Sequence, residues 1–212
     1  MRGQLAPLWA NFQDIPALGV SGVLRLAVAL IVVPYLVGSI PFGILVARLF
    51  SGVDVRTVGS HNIGATNVAR AAGKGAGVLT LVLDALKGAL PTLVAVHYLG
   101  TVPGCIAGLA AFLGHLFPVF LRGKGGKGVA TALGVFAVLS PWAAPVGLAT
   151  YGVVLALTRV SALGSLAGST ALLIAAALLR YPAPVLALCV AINLLIYWRH
   201  RGNLSQLLRK RR

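Results

Sequence analysis

The sequence predicts an all-α fold: a polytopic membrane helical bundle of about seven transmembrane helices, with its N-terminus outside and its C-terminus cytoplasmic. Three observations carry this reading. Of the 212 residues, 58% are apolar and only 10% charged, whereas a soluble domain carries about 25% charged residues. The apolar residues gather in runs close to the ~20 that a spanning helix requires. The basic residues fall in alternate gaps between those runs, as they do in cytoplasmic membrane loops.

The first run covers residues 24–50, and Pro34, Pro41 and Gly43 should bend it. Residues 76–99 form a second run and 103–121 a third. Val129–Leu139 is apolar but too short for an upright span, and Ser140-Pro141 ends it. Residues 142–157, 162–179 and 183–198 complete the set. Short or interrupted helices inside a membrane usually surround a polar cavity, and 26 glycines predict close helix packing. Residues 1–22 carry Arg2 but are interrupted by Pro7, Asp14 and Pro16, a poor secretory signal. They are read as a partly ordered interfacial extension, leaving 23–212 as a single membrane domain.

Charge sets the orientation. One set of gaps, with Arg48 beside it, collects Arg56, Arg70, Lys74, Arg122, Lys124, Lys127, Arg159, Arg199, Arg201 and the basic run 209–212. The opposite side has Arg180, joined by Arg2 and Arg25 at the N-terminal end. The richer face is therefore expected in the cytoplasm. Only Asp14, Asp54 and Asp84 oppose 18 Lys and Arg, for a net charge of +15. On a soluble domain that excess would suggest nucleic acid; its confinement to gaps between apolar runs argues against that partner. Cys105 and Cys189 lie within apolar runs and read as small core residues. No His/Cys cluster has metal-ligand spacing, so no metal and no cofactor is expected.

Three polar segments emerge on the basic face. The first, from Gly59 to Arg70, holds Ser60, Asn62, Gly64, Thr66 and Asn67. It supplies neutral hydrogen-bonding groups and a guanidinium able to fork onto phosphate or carboxylate; a loop that caps the next helix is the other reading. The second includes Gly114-His115 and Gly123-Lys124-Gly125-Gly126-Lys127-Gly128, just before an apolar helix. Backbone donors and cations at a helix start suit an anion, although the spacing is not that of a Walker A loop and a flexible basic turn is the alternative. The third, Tyr197-Trp198-Arg199-His200-Arg201-Gly202-Asn203, follows the last run. Asp84 and Lys87, three apart in the second run, can pair on one helix face, as a structural ion pair or a proton relay. With no carboxylate pair on that face and no nucleophile elbow, carboxylate glycosidases, metallohydrolases and triad enzymes are disfavoured.

Six stretches then point to a family: GSIPFG at 38–43, VGSHNIGATNVAR at 58–70, LDALKG at 83–88, GHLFPVF at 114–120, GGKGVAT at 125–131 and RHRGN at 199–203. In this order the chain, from about residue 30 onward, resembles the bacterial acyl-phosphate:glycerol-3-phosphate acyltransferases. The resemblance implies a seven-helix inner-membrane enzyme with its site facing the cytoplasm. It would transfer an acyl group from acyl phosphate to the 1-hydroxyl of glycerol 3-phosphate, giving lysophosphatidic acid and phosphate. It implies catalytic roles for Ser60, Arg70, Lys127, His200 and Asn203. Substrate-binding roles fall on Asn62, Gly64, Thr66, Asn67, His115, Gly125, Gly126 and Gly128. A further family serine aligns with Gly164, with Ser161 and Ser165 as neighbouring candidates, and Gly202 replaces a more usual acidic residue. The implied partners are the two substrates and membrane lipid; oligomeric state is left open. A transporter or flippase for an anionic solute or lipid is the competing class. It accounts for the cations and for Asp84–Lys87, but not for polar clusters gathered on one face rather than near the midplane.

Overall fold

Proline decides the shape of the first apolar run. In the computed structural model, which describes residues 19–209, this run divides into α1 (Gly19–Ala27), a π-helical turn at Val28–Val32, α2 (Val33–Ser39) and α3 (Phe42–Ser51). Pro34 sits in the first turn of α2, where its missing N–H is tolerated. Ile40 is extended (φ −61°, ψ 120°), as a residue preceding proline tends to be, and the chain restarts as helix after Pro41. The helix begins at Gly19 rather than at residue 24. Residues 19–22 of the partly ordered extension are thus helical, and 1–18 lie outside the described residues.

The remaining elements are α4 (Ala65–Ala72), α5 (Lys74–Leu99), α6 (Thr101–Leu116), a 3-10 turn at Val119–Leu121, α7 (Val129–Leu139), α8 (Ala143–Thr158), α9 (Ser161–Leu178) and α10 (Ala183–Arg209). Every predicted apolar run contains helix, and no strand occurs among the described residues. Among the described residues, five stretches are long and apolar enough to cross a bilayer. α7 and α8, with 11 and 16 residues, rise only about 16 and 24 Å against a hydrocarbon core of about 30 Å.

Two elements depart from the sequence reading. The polar segment 59–70 is a loop only as far as Gly64; α4 then carries Thr66, Asn67 and Arg70. Ala65, Val68, Ala69 and Ala72 recur at helical spacing, and Val68 packs with Ile44, Val55, Ile63 and Ala76 beneath the helix. α10 runs on well beyond residue 198, so His200 and Asn203 sit on continuous helix rather than in a tail.

Helix pairs meet at glycine. The space beside Gly38 and Gly114 of α2 and α6 is occupied by the Ala111 backbone and the Tyr35 carbonyl respectively. Gly88 of α5 abuts the Thr131 carbonyl, and Gly134 of α7 abuts that of Ala85. Gly147 and Gly168 face each other across α8 and α9. Phe112, Leu116, Phe136, Ile192 and Ile196 fill the interior of the larger core. Exposed Leu90, Val94, Leu178 and Leu194 present an apolar surface suited to lipid.

A methyl at Gly134 must displace backbone from backbone, whereas Gly152 has no neighbour within 4 Å of an added Cβ. Gly134→Ala is expected to cost about 1–3 kcal/mol. Gly152→Ala should be neutral or stabilise by up to about 1 kcal/mol. Thermal unfolding of the two variants in the same detergent gives the comparison.

Candidate active site

The loop leading into α4 is held by two side chains. Asp54 accepts from the Arg56 backbone N–H at 3.0 Å, from Arg56 Nη2 at 2.6 Å and from Arg48 Nη2 at 3.3 Å. These bonds, those from Arg56 foremost, hold the Asp54 carboxyl well below the usual carboxylate range. They also engage two of the cations on the basic face. Asn67 is the second anchor and is buried. Its Nδ2 lies 2.9, 3.0 and 3.0 Å from the carbonyls of Val55, Val58 and Asn62, and its Oδ1 accepts the Ser60 N–H at 3.0 Å. Gly59, at φ +60°, leaves no room for a Cβ beside Asn67 Oδ1. Asn62 Oδ1 takes the Gly64 N–H at 2.9 Å. The amides of Asn67 and Asn62 therefore bind loop backbone, and the Ser60 hydroxyl is left at the edge of the cavity.

The glycine-rich segment is clamped from two sides. Arg199 donates through Nε to the Gly126 carbonyl at 2.9 Å and through Nη2 to the Gly125 carbonyl at 2.7 Å. Its guanidinium also lies 5.7 Å from the Phe117 and Trp198 ring centroids. From the other side, the His115 carbonyl accepts the Gly126 N–H at 3.1 Å. The Gly126 N–H, expected to face a ligand, is thus taken by the His115 carbonyl, and the carbonyls of both glycines are taken by Arg199. Gly128, Val129 and Ala130 line the cavity. They begin the first turn of α7, where N–H groups have no partner within the helix.

One cavity of about 680 Å³ gathers the rest. Ser60, Arg70, Lys127, His200 and Asn203 all line it, as do Asn62, Gly64, Thr66, Asn67, His115 and Gly128; Gly125 and Gly126 do not. Lys74 and Arg159, which the sequence reading counted only for orientation, join the cationic rim. Lys74 starts α5, and Arg159 caps α8 in a left-handed conformation (φ 59°). Ser161 and Ser165 both line the cavity, while Gly164 packs against the Tyr151 backbone. Ser161 Oγ lies 3.1 Å from Thr66 Oγ1 and 3.1 Å from Tyr151 Oη, a hydroxyl chain joining α4 to α8 and α9. Nothing in the linear pattern marks Tyr151 or Arg159, which reach the site only through the pairing of α8 with α9.

Away from this polar end the lining turns apolar, with Val78, Leu81, Leu133, Phe136, Leu148, Leu172 and Ile192. Along α10 the lining residues Cys189, Asn193, Ile196, His200 and Asn203 form one stripe, about 21 Å long at helical rise. His200 Nδ1 lies 2.8 Å from the Ile196 carbonyl. That contact favours the tautomer with the proton on Nδ1, leaving Nε2 as an acceptor. Lys127 is half-buried, and its pKa falls to about 8, first through burial and then through the charges of Arg199 and Arg70.

An apolar helical bundle around one elongated cavity, cationic and hydroxyl-bearing at one end and oily at the other, defines an integral membrane protein with an amphipathic cavity. The family follows from comparison with known proteins. Residues 28–210 match the profile of the glycerol-3-phosphate acyltransferase family, and the chain belongs to that family. It is 56% identical over 191 residues to a glycerol-3-phosphate acyltransferase of Anaeromyxobacter dehalogenans strain 2CP-1, covering 87% of this chain and 94% of the relative. It is 50% identical over 184 residues to the Myxococcus xanthus strain DK1622 protein of the same name, covering 86% and 96%. Among solved structures it resembles PlsY (YgiH), an integral membrane glycerol 3-phosphate acyltransferase, in its glycerol 3-phosphate form. That match has TM-score 0.83 and 44% identity, covering 87% of this chain and 93% of that one. The lysophosphatidic acid form matches at TM-score 0.82 and 43% identity, with the same coverage.

Lys127 carries its charge below pH 8 and loses it above. Phosphate affinity that depends on this cation should therefore be full below about pH 8 and fall as pH rises through it. Titrating the purified protein with inorganic phosphate between pH 6.5 and 9.5 should show that decline. Lys127→Arg should flatten it, since guanidinium stays charged throughout.

Proposed function

We propose that this protein transfers a fatty acyl group from acyl phosphate to the 1-hydroxyl of glycerol 3-phosphate. The proposed products are lysophosphatidic acid and phosphate, and the proposed setting is a bacterial inner membrane with the cavity's cationic end facing the cytoplasm. The observation that carries this is the division of one cavity into a basic, hydroxyl-lined head and an apolar tail. Family membership supports the acyl transfer, and the surplus of basic residues around the head supports the orientation.

Acyl phosphate is a mixed anhydride and arrives activated, so no covalent enzyme intermediate is required. The glycerol 1-oxygen bonds to the acyl carbon, and the bond from that carbon to the phosphate oxygen breaks. Phosphate leaves with the electron pair, and the hydroxyl proton passes to His200 Nε2 or to a substrate phosphate. Two anions must share the cavity head, and Arg70, Lys74, Lys127 and Arg159 supply the opposing charge there. Arg70, Lys127 and the first turn of α7 hold phosphate and stabilise the leaving group; Ser60 and Asn203 orient substrate oxygens. Bringing the reactants together in one cleft supplies the proximity on which the rate depends. The acyl tail lies in the apolar end, among α5, α7, α8, α9 and α10.

The test is to incubate purified protein with acyl phosphate and radiolabelled glycerol 3-phosphate, without ATP, acyl-CoA or metal. Labelled lysophosphatidic acid is expected, and its absence would remove the proposal. Lys127→Ala should lower kcat/KM by about 10²–10³, the scale seen when a transition-state donor is removed. Full activity in that variant would defeat the phosphate role.

A further inference from the structure

Three buried ionisable side chains, two of them (Asp84 and His115) on the inner lining of the cavity, have no place in the reaction above. Asp84 and Lys87 on α5 and His115 on α6 are each at most 3% exposed. Lys87 Nζ lies 2.7 Å from Asp84 Oδ1 and donates to the Ile40 carbonyl at 2.9 Å, at the break between α2 and α3. His115 Nδ1 lies 3.7 Å from the same Asp84 oxygen. The cluster thus joins the broken first span, α5 and α6 at one point.

His115 is also the seat of the glycine-rich segment. Its carbonyl accepts the Gly126 N–H, and its ring stands so close that a Cβ on Gly126 would collide with Nε2. A Cβ on Gly125 would collide with the His115 carbonyl. The next residue is Lys127, on the cavity wall. A buried ion pair contributes little net stability compared with apolar residues of similar bulk, so its consequence here is sought in geometry. We propose that Asp84, Lys87 and His115 form a positioning cluster that fixes the height of the Gly125–Gly126 segment and, through it, the point at which Lys127 meets the substrate phosphate. This rests on the phosphate role assigned to Lys127, and none of the three needs to touch substrate for it to hold.

The test uses the full chain carrying Asp84→Leu with Lys87→Met, which removes both charges and keeps bulk, with loss of one donor to Ile40. Deuterium exchange at the 123–128 amides should rise at least tenfold while the amides of α5 and α6 remain protected. The KM for glycerol 3-phosphate should rise at least tenfold, with a smaller change in kcat. Adding Lys127→Ala to the pair should cost much less than in the native chain, because residues acting through one another are non-additive. Asp84→Glu, which keeps the charge, should restore most of the loop protection. Native loop exchange in the paired variant, or fully additive losses, would overturn the proposal. Should the paired variant fail to accumulate, His115→Asn leaves the carbonyl seat and removes the ring, and loop exchange alone decides, because His115 lines the cavity. The exchange measurement needs no substrate. Failure of the positioning reading is thereby separated from failure of the acyl-transfer reading, which would show in the native chain.

Discussion

The bundle depends on helices approaching until backbone meets backbone. In lipid there is little hydrophobic force to push helices together, because the surrounding tails are as apolar as leucine. Contact must then come from dispersion and from small residues that let the helix axes close. Gly38 and Gly114 supply this for α2 and α6, Gly88 and Gly134 for α5 and α7, and Gly147 and Gly168 for α8 and α9. The cavity opens where α5 and α7 face α8 and α9, and Gly147 and Gly168 themselves form part of its lining. The site is thus the space left between tightly closed pairs, with α10 as its third wall.

The polar end is built by side chains that bind backbone. Asn67 gathers the carbonyls of the loop before α4, and Arg199 gathers those of Gly125 and Gly126. Each satisfies groups that an irregular segment at a membrane surface would otherwise leave unpaired. Lys127 is a neighbour of the Arg199 clamp, and Ser60 enters the Asn67 clamp only through its backbone N–H. A positive surface alone requires neither clamp, which distinguishes this corner from the merely basic loops around it.

Much of the fold was legible because lipid constrains sequence so strongly. Every apolar run became helix, and the bend expected at Pro41 is a complete break. The five candidate site positions Ser60, Arg70, Lys127, His200 and Asn203 converge on one cavity although up to 143 positions separate them. α4 was missed because its polar face dominated the eye, although its alanines and Val68 repeat at helical spacing. A glycine-rich segment beside cations resembles an anion cradle in sequence whichever way its peptide planes turn. Only the fold shows that the carbonyls of Gly125 and Gly126 point to Arg199. Lys74, Tyr151 and Arg159 carried no local pattern, since their convergence is a product of helix pairing.

α10 carries one further consequence. Cys189, in the oily part of the cavity, and His200 and Asn203, at its charged mouth, belong to one uninterrupted helix. Under the proposed reaction, the depth of the tail and the position of the head are therefore marked along a single helix. Extra tail carbons extend past Cys189, while the reacting end keeps its place beside His200.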